Sequence, residues 1–255
     1  MIDLAPSWKK SLTLDHPVMI VTRDWNLPRV GAFVTPPLTA RQRAGAPPPR
    51  VVEFPGGVWL NTGAANPGAA RFMQDNERAW AKSRAPIIVA LAAQAADDWG
   101  ALAARLERVE GVGGVELHLN PVTNAAQAIA RTRAATSLPL LAKLDLDNAP
   151  AIAADCVAAG ANALVIARAP RGAIYRDGRA LFGRLYGAFA KPLALRALKE
   201  ITDLRLEIPL IGCGGIHSAE DVREFLAAGA VAVEIETAHW VDADAVREVC
   251  AALGD

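Results

Sequence analysis

Residues 209–236 read PLIGCGGIHSAEDVREFLAAGAVAVEIE and contain one complete strand–helix–strand unit. An apolar run that ends in glycines comes first, a helical pattern follows at 218–229, and a second apolar run closes the stretch. Ser218 followed by Asp221 is a variant of the capping box that begins helices. Short, continuous apolar runs are typical of strands that are buried on both faces. The stretch therefore predicts two parallel strands joined by a helix.

The same alternation extends back through the chain. Six further apolar runs occur at 16–21, 30–34, 86–93, 115–120, 139–145 and 163–168. Good helix formers at helical spacing lie between several of them, at 97–111, 124–136 and 148–160, and again at 191–202. Eight strands that alternate with helices favour the α/β class and a closed (β/α)₈ barrel, the TIM-barrel fold, over an open sheet. Because no linker interrupts the pattern, we expect residues 1–255 to form a single barrel domain.

Two segments break this rhythm. Residues 35–68 are rich in proline and glycine and carry two short apolar pieces around a PGG sequence, which predicts a loop with a small hairpin in the N-terminal part of the chain. Residues 170–190 form a second insertion between the sixth strand and the next helix. Both segments follow barrel strands, so we expect them at the C-terminal mouth, where barrel enzymes place their sites.

Composition limits the kind of partner. The chain has 27 basic and 27 acidic residues, so nucleic acid is excluded as the main partner and a small-molecule ligand is expected. Cys156, Cys213 and Cys250 are widely spaced without a CxxC motif, so neither a metal site nor a disulfide framework is predicted. No signal-peptide pattern or membrane-length apolar run is present, so we expect a cytoplasmic protein without membrane contact.

A glycine-rich strand end points to phosphate. Gly212, Cys213, Gly214 and Gly215 end one apolar run, and a helix is predicted a few residues later. Missing side chains let backbone N–H groups approach an anion, and the positive end of a helix favours it. The alternative is a tight turn in which glycine is needed for packing.

Residues 208–238 resemble the C-terminal signature of the dihydroorotate dehydrogenase family, which reads roughly IPIIGVGGI.S.EDA.EF..AGA..V.VGTA. Further similarity follows the family's order over about residues 16–240, and GRLYGAFAKPLALRALKEI (183–201) is similar to the family's GGLSG.A.KP.ALR.V.EI. The resemblance implies a TIM-barrel oxidoreductase that uses flavin mononucleotide (FMN), acts on a CH–CH group and forms a homodimer.

The resemblance also implies cofactor-binding positions. Lys143 matches a lysine that contacts the flavin ring, where a cation would stabilise the electron density of reduced flavin. Its alternative is a structural ion pair with a carboxylate such as Glu116. The complete set of flavin positions implied by the resemblance is Asn61, Lys143, Gly187, Gly214, Gly215 and Thr237.

Several positions depart from the family pattern. Pro36 replaces a lysine, residues 120–122 replace the SCPN motif that supplies the catalytic base, and Arg168 replaces an asparagine. Glu236 replaces the glycine before Thr237 and would place a carboxylate beside the expected phosphate, where like charges repel. These departures indicate a divergent member of the family.

His118 and Lys143 are the candidate catalytic residues. His118 replaces a family asparagine at a strand end, and an imidazole that titrates near neutrality is suited to exchange a proton beside a flavin. Its alternative is a hydrogen-bonded histidine that fills the volume of the asparagine. The sequence predicts an FMN-dependent oxidoreductase with a substrate altered from dihydroorotate. The alternatives are a flavin-free binding or assembly subunit and a non-redox enzyme for a phosphorylated small molecule.

Overall fold

The computed structural model describes residues 1–27, 29–92, 96–119, 124–242 and 244–254. Its strands are β1 (Ile2–Asp3), β2 (Thr13–Leu14), β3 (Val18–Val21), β4 (Ala32–Val34), β5 (Val51–Phe54), β6 (Gly57–Leu60), β7 (Ile87–Leu91), β8 (Val112–His118), β9 (Leu140–Asp145), β10 (Ala163–Arg168), β11 (Arg171–Arg176), β12 (Arg179–Tyr186), β13 (Leu210–Cys213) and β14 (Ala232–Ile235). Its helices are α1 (Ala69–Trp80), α2 (Ala96–Leu106), α3 (Ala125–Ala135), α4 (Ala149–Ala158), α5 (Ala190–Thr202), α6 (Ala219–Ala227), α7 (Ala238–Val241) and α8 (Ala245–Leu253).

Eight parallel strands close into a barrel in the order β3-β4-β7-β8-β9-β10-β13-β14, and β14 pairs with β3. Each strand coincides with one of the eight apolar runs, so the predicted TIM barrel is confirmed. The strands are buried on both faces because the helices cover the outside and inward-facing side chains fill the interior. The C-terminal ends of the strands consequently meet at one mouth.

Side chains cap the N-termini of α3 and α6. Ser218 and Asp221 form the predicted capping box at the start of α6. Each side chain accepts a hydrogen bond from the backbone N–H of the other residue. Asn124 caps α3 by accepting a hydrogen bond from the backbone N–H of Gln127. No helix in the described ranges is long and apolar enough to span a membrane.

The two insertions meet over the mouth. The predicted hairpin of residues 35–68 is present as β5 and β6, and the second insertion is also a hairpin, formed by β11 and β12. Strands β12 and β6 pair antiparallel, so the two hairpins form one four-stranded sheet, named here the mouth sheet. This joining was not predicted. It encloses a cleft between the mouth sheet and the barrel strand ends.

The opposite end of the barrel is apolar. Strands β1 and β2 form a small antiparallel pair before the first barrel strand. Leu4, Leu12 and Leu14 from this N-terminal segment pack with inward-facing barrel residues such as Met19 and Leu141. The burial of these apolar side chains stabilises the barrel.

Candidate active site

A cleft with a volume of about 1170 Å³ opens at the C-terminal mouth. Its walls come from barrel strand ends and from the mouth sheet. The polar and charged lining residues that matter for chemistry are Asn61, His118, Lys143, Arg168, Arg184, Tyr186 and Glu236. The three residues Asn61, His118 and Lys143, which lie far apart in the sequence, therefore face one cavity.

Lys143 lies at the floor of the cleft among three carboxylates. Its Nζ is 2.5 Å from Oε1 of Glu234 and 3.7 Å from both Glu116 Oε1 and Glu236 Oε2. Lys143, Glu116 and Glu234 are buried, and a buried charge persists only when it is paired. Burial opposes the ammonium charge, but the acidic groups around it outweigh burial and hold the pKa of Lys143 well above its usual range.

The two fully buried carboxyl groups beside Lys143 belong to Glu116 and Glu234. Burial, followed by the charge of Glu116, raises the pKa of Glu234 to about 8. Oε2 of Glu116 and Oε2 of Glu234 are both buried without a hydrogen-bond donor among the described residues. At neutral pH the floor therefore holds a protonated Glu234 beside a charged Lys143.

His118 is hydrogen-bonded to this cluster. Its Nε2 lies 2.6 Å from Oε1 of Glu116, and the imidazole is mostly buried. Burial, together with the charges of Lys143 and Arg168, lowers the pKa of His118 well below its usual value. The neutral ring donates from Nε2 to the Glu116 carboxylate and keeps a lone pair on Nδ1. This is the arrangement of an oriented general base.

One wall of the cleft carries two arginines on a single carboxylate. Arg184 of β12 holds the buried Asp145 of β9 with two hydrogen bonds of 2.7 and 3.2 Å. Arg168 of β10 places Nη1 3.8 Å from Oδ2 of the same aspartate and donates to the carbonyl of Leu119 at 2.9 Å. The wall carries an excess of one positive charge.

The predicted phosphate residues do come together. Gly187, Gly214, Gly215 and Thr237 line one small cavity, named here the glycine cradle. Its volume is only about 30 Å³, which is room for one or two water molecules. Packing requires Gly215, since a Cβ there would lie 2.4 Å from the backbone nitrogen of Lys191 and φ is +69°. The alternative of a glycine turn needed for packing therefore has direct geometric support.

The glycine cradle does not fit the phosphate of FMN. Tyr186 and Glu236 line both the cradle and the cleft, so they stand between the two cavities. Glu234 also lines the cradle, which gives it two acidic side chains. Burial and the nearby Glu236 raise the pKa of Tyr186, so its ring remains neutral. A phosphate would meet too little space and two carboxyl groups.

The remaining sequence-based positions have ordinary surroundings. Asn61 lines the cleft while its Oδ1 accepts a hydrogen bond from the backbone of Gly63. Pro36 also lines the cleft. Residues 120–122, where the family base motif is missing, lie outside the described residues.

Sequence reasoning missed four site residues. Glu234 lies two positions before Glu236 in VAVEIE, and a period of two puts both on the same face of a strand. Asp145 stands in the same relation to Lys143. Arg184 and Tyr186 replace small residues of the GGLSG pattern, so this segment already contained their signal.

Known proteins resemble this chain over most of its length. Residues 19–255 match the sequence model of the family described as "Dihydroorotate dehydrogenase". A protein of Geotalea daltonii is 33% identical over 251 residues, which cover 90% of this chain and 82% of the relative. A protein of Desulforudis audaxviator is 34% identical over 250 residues, which cover 89% and 81%. Both relatives are named "Dihydroorotate dehydrogenase B (NAD(+)), catalytic subunit".

Proposed function

This chain belongs to the dihydroorotate dehydrogenase family, and we propose from that premise that it is an oxidoreductase acting on a small acidic molecule in the mouth cleft. The observation that carries the proposal is the His118–Glu116 hydrogen bond of 2.6 Å beside Lys143 at the cleft floor. It supplies an oriented base at the end of the barrel where such enzymes act. Dihydroorotate, which appears in the names of the relatives, is the first substrate to test.

His118 takes the role of proton acceptor in this proposal. Oxidation of a CH–CH group to a double bond removes one proton and one hydride from the substrate. The low pKa of His118 keeps Nδ1 free to accept the proton, and the Glu116 carboxylate then stabilises the imidazolium. Lys143 stabilises that carboxylate and also fixes its position.

FMN is the redox group that the family resemblance implies, and its chemical contribution when bound is to accept the hydride. Because the glycine cradle does not fit the FMN phosphate, a bound flavin would be held by the cleft and not by the cradle. The 1170 Å³ cleft has ample volume for a flavin ring beside a small substrate. Flavin held without the cradle is expected to bind reversibly and to leave the protein on desalting.

The test is formation of orotate from dihydroorotate by purified protein in the presence of added FMN. We expect turnover that requires FMN and is lost in His118→Gln. His217→Gln is the matched control, because His217 is exposed and does not line the cleft. Absence of orotate at saturating FMN and dihydroorotate would reject dihydroorotate oxidation.

The second candidate is a flavin-free barrel that binds a ligand or assembles with another protein. Tyr186 and Glu236, which separate the cradle from the cleft, favour it. A protein that takes up no FMN at any concentration and oxidises nothing would support this candidate. The predicted homodimer and cytoplasmic location stay predictions, and sedimentation analysis tests the homodimer.

A further inference from the structure

The positive wall of the cleft holds more cation than its buried carboxylate requires. Asp145 is almost completely buried, and the guanidinium of Arg184 already satisfies both of its oxygens. A bidentate pair of this kind is among the strongest arrangements of arginine with a carboxylate. The second guanidinium, that of Arg168, is therefore not needed to neutralise Asp145.

Arg168 keeps donors for another partner. Its Nη1 is 3.8 Å from Asp145, beyond hydrogen-bonding distance, and donates to the carbonyl of Leu119. The side chain lines the cleft and is 19% exposed. Burial, followed by the neighbouring charge of Arg184, lowers the pKa of Arg168, so an incoming anion would relieve an unfavourable charge.

Lys143 and the glycine cradle are already compensated or closed as anion sites. Lys143 is surrounded by Glu116, Glu234 and Glu236 within 3.7 Å, so its charge is satisfied inside the protein. The glycine cradle has about 30 Å³ and two glutamates in its lining. Arg168 is therefore a better position for an anion than Lys143 or the glycine cradle.

The cleft also has a surface for a flat ring. Tyr186 and Trp240 line it with ring centroids 6.4 Å apart and an angle of 35° between their planes. Phe182 adds an exposed aromatic side chain from the mouth sheet. Aromatic faces of this kind bind planar ligands by stacking.

We propose that Arg168, held in place by the Arg184–Asp145 pair, binds the carboxylate or phosphate group of a planar ligand in the mouth cleft. The proposal rests on the proposed function only in that the ligand occupies the same cleft. It assigns anion recognition to the end of β10 and to the mouth sheet, and it assigns none to the glycine cradle.

Two matched pairs of ligands test the proposal by titration calorimetry. Orotate and uracil share a ring and differ in a carboxylate, whereas FMN and riboflavin share a ring system and differ in a phosphate. We expect the charged member of at least one pair to bind at least about tenfold more tightly, as a charge-assisted hydrogen bond predicts. The pair that shows the difference identifies the anion as carboxylate or phosphate.

Variants locate the anion. Arg168→Met is expected to reduce the preference for the charged member to about twofold or less, and Arg168→Lys to restore part of it, because lysine keeps the charge and loses the planar fork. Arg171→Met is the matched control: Arg171 lies at the exposed rim of the same cleft, where solvent screens its charge. We expect that control to change affinity less than about threefold. Thermal melting of every variant confirms that it folds.

The proposal is overturned if neither pair is discriminated, or if the discrimination persists in Arg168→Met. Its failure is distinguishable from failure of the proposed oxidoreductase. If orotate binds through Arg168 but no dihydroorotate is oxidised, the proposed anion site is supported and the proposed dehydrogenase activity is rejected. If oxidation occurs and Arg168→Met leaves the preference unchanged, the opposite conclusion follows.

Discussion

The two ends of the barrel interior differ in chemistry although the same strands build both. On β9, the buried Leu141 packs in the apolar interior with Leu4 and Leu12, whereas Lys143, two residues later, lies among carboxylates. The apolar end contributes stability through the burial of apolar side chains. The charged end takes ionisable groups out of water, which costs stability unless each is paired. Proteins retain such costs chiefly where function requires them, so the paired charges support the proposal that the mouth is the functional end.

The largest expected effect comes from removing the buried ammonium group of Lys143 at the floor of the cleft. Lys143→Met leaves Glu116 and Glu234 without their shared counter-charge, and we expect a loss of about 3–5 kcal/mol in the free energy of unfolding. Urea denaturation measures it. The combination Lys143→Met/Glu116→Gln/Glu234→Gln removes the unpaired charges and is expected to recover most of the loss. Equal stability in the single and triple variants would show that charge pairing does not stabilise the cluster around Lys143.

The apolar end provides the matched comparison. Leu141→Ala removes a fully buried side chain from the same face of the same strand, and we expect a loss of about 2–5 kcal/mol. Ligand affinity in the mouth cleft is expected to stay within about twofold of the wild type, because packing at this end does not touch the cleft. Calorimetry with orotate checks this. A large loss of affinity would break the division between a stabilising end and a functional end.

A further contrast lies within the mouth itself, between the cleft and the glycine cradle. Tyr186→Ser/Glu236→Gly restores the residue sizes of the family pattern and removes the wall between cradle and cleft. We expect FMN to bind at least about tenfold more tightly than to the wild type, since the phosphate gains space and loses a like charge. Fluorescence quenching of FMN measures the affinity. Unchanged affinity would mean that Tyr186 and Glu236 do not control access to the cradle.

The smallest effect concerns pH. The pKa of Glu234 is raised to about 8 in the folded protein, so between the ordinary carboxyl pKa and that value the folded state binds more protons than the unfolded chain. The contribution of this protonated carboxyl group to the free energy of unfolding is fully present below the ordinary carboxyl pKa. It is lost as the pH rises through about 8. Glu234→Gln is expected to reduce the fall in stability between pH 6 and 8 by on the order of 1 kcal/mol.

Denaturation at both pH values measures this difference. Glu200→Gln, at an exposed position on α5, is the control and should leave the pH dependence unchanged. An identical pH dependence in Glu234→Gln and in the wild type would contradict the raised pKa.

The fold was readable from the sequence because its signals are local. Strands buried on both faces gave continuous apolar runs, and Ser218 with Asp221 marked the start of a helix. The mouth sheet was not predicted, because the pairing of Tyr186 with Val58 joins hairpins that lie far apart in the chain. No local pattern encodes that register.

The candidate site divides in the same way. His118 and Lys143 follow from their places at strand ends and from the family resemblance, and the structure brings both to one cleft. The Arg184–Asp145 pair was missed because it depends on where the second hairpin folds back. The filling of the cradle by Tyr186 and Glu236 depends on side-chain volume in three dimensions, which motif spacing does not report.

The most direct test is anaerobic bleaching of added FMN by dihydroorotate, compared between the wild type and His118→Gln at saturating concentrations of both ligands. We predict that the wild type reduces the flavin and that His118→Gln does so at least about a hundredfold more slowly, the usual contribution of a general base. FMN affinity should be the same in both proteins. Equal rates in the two proteins, or no bleaching by the wild type, would contradict the assignment of this chemistry to the charged end of the barrel.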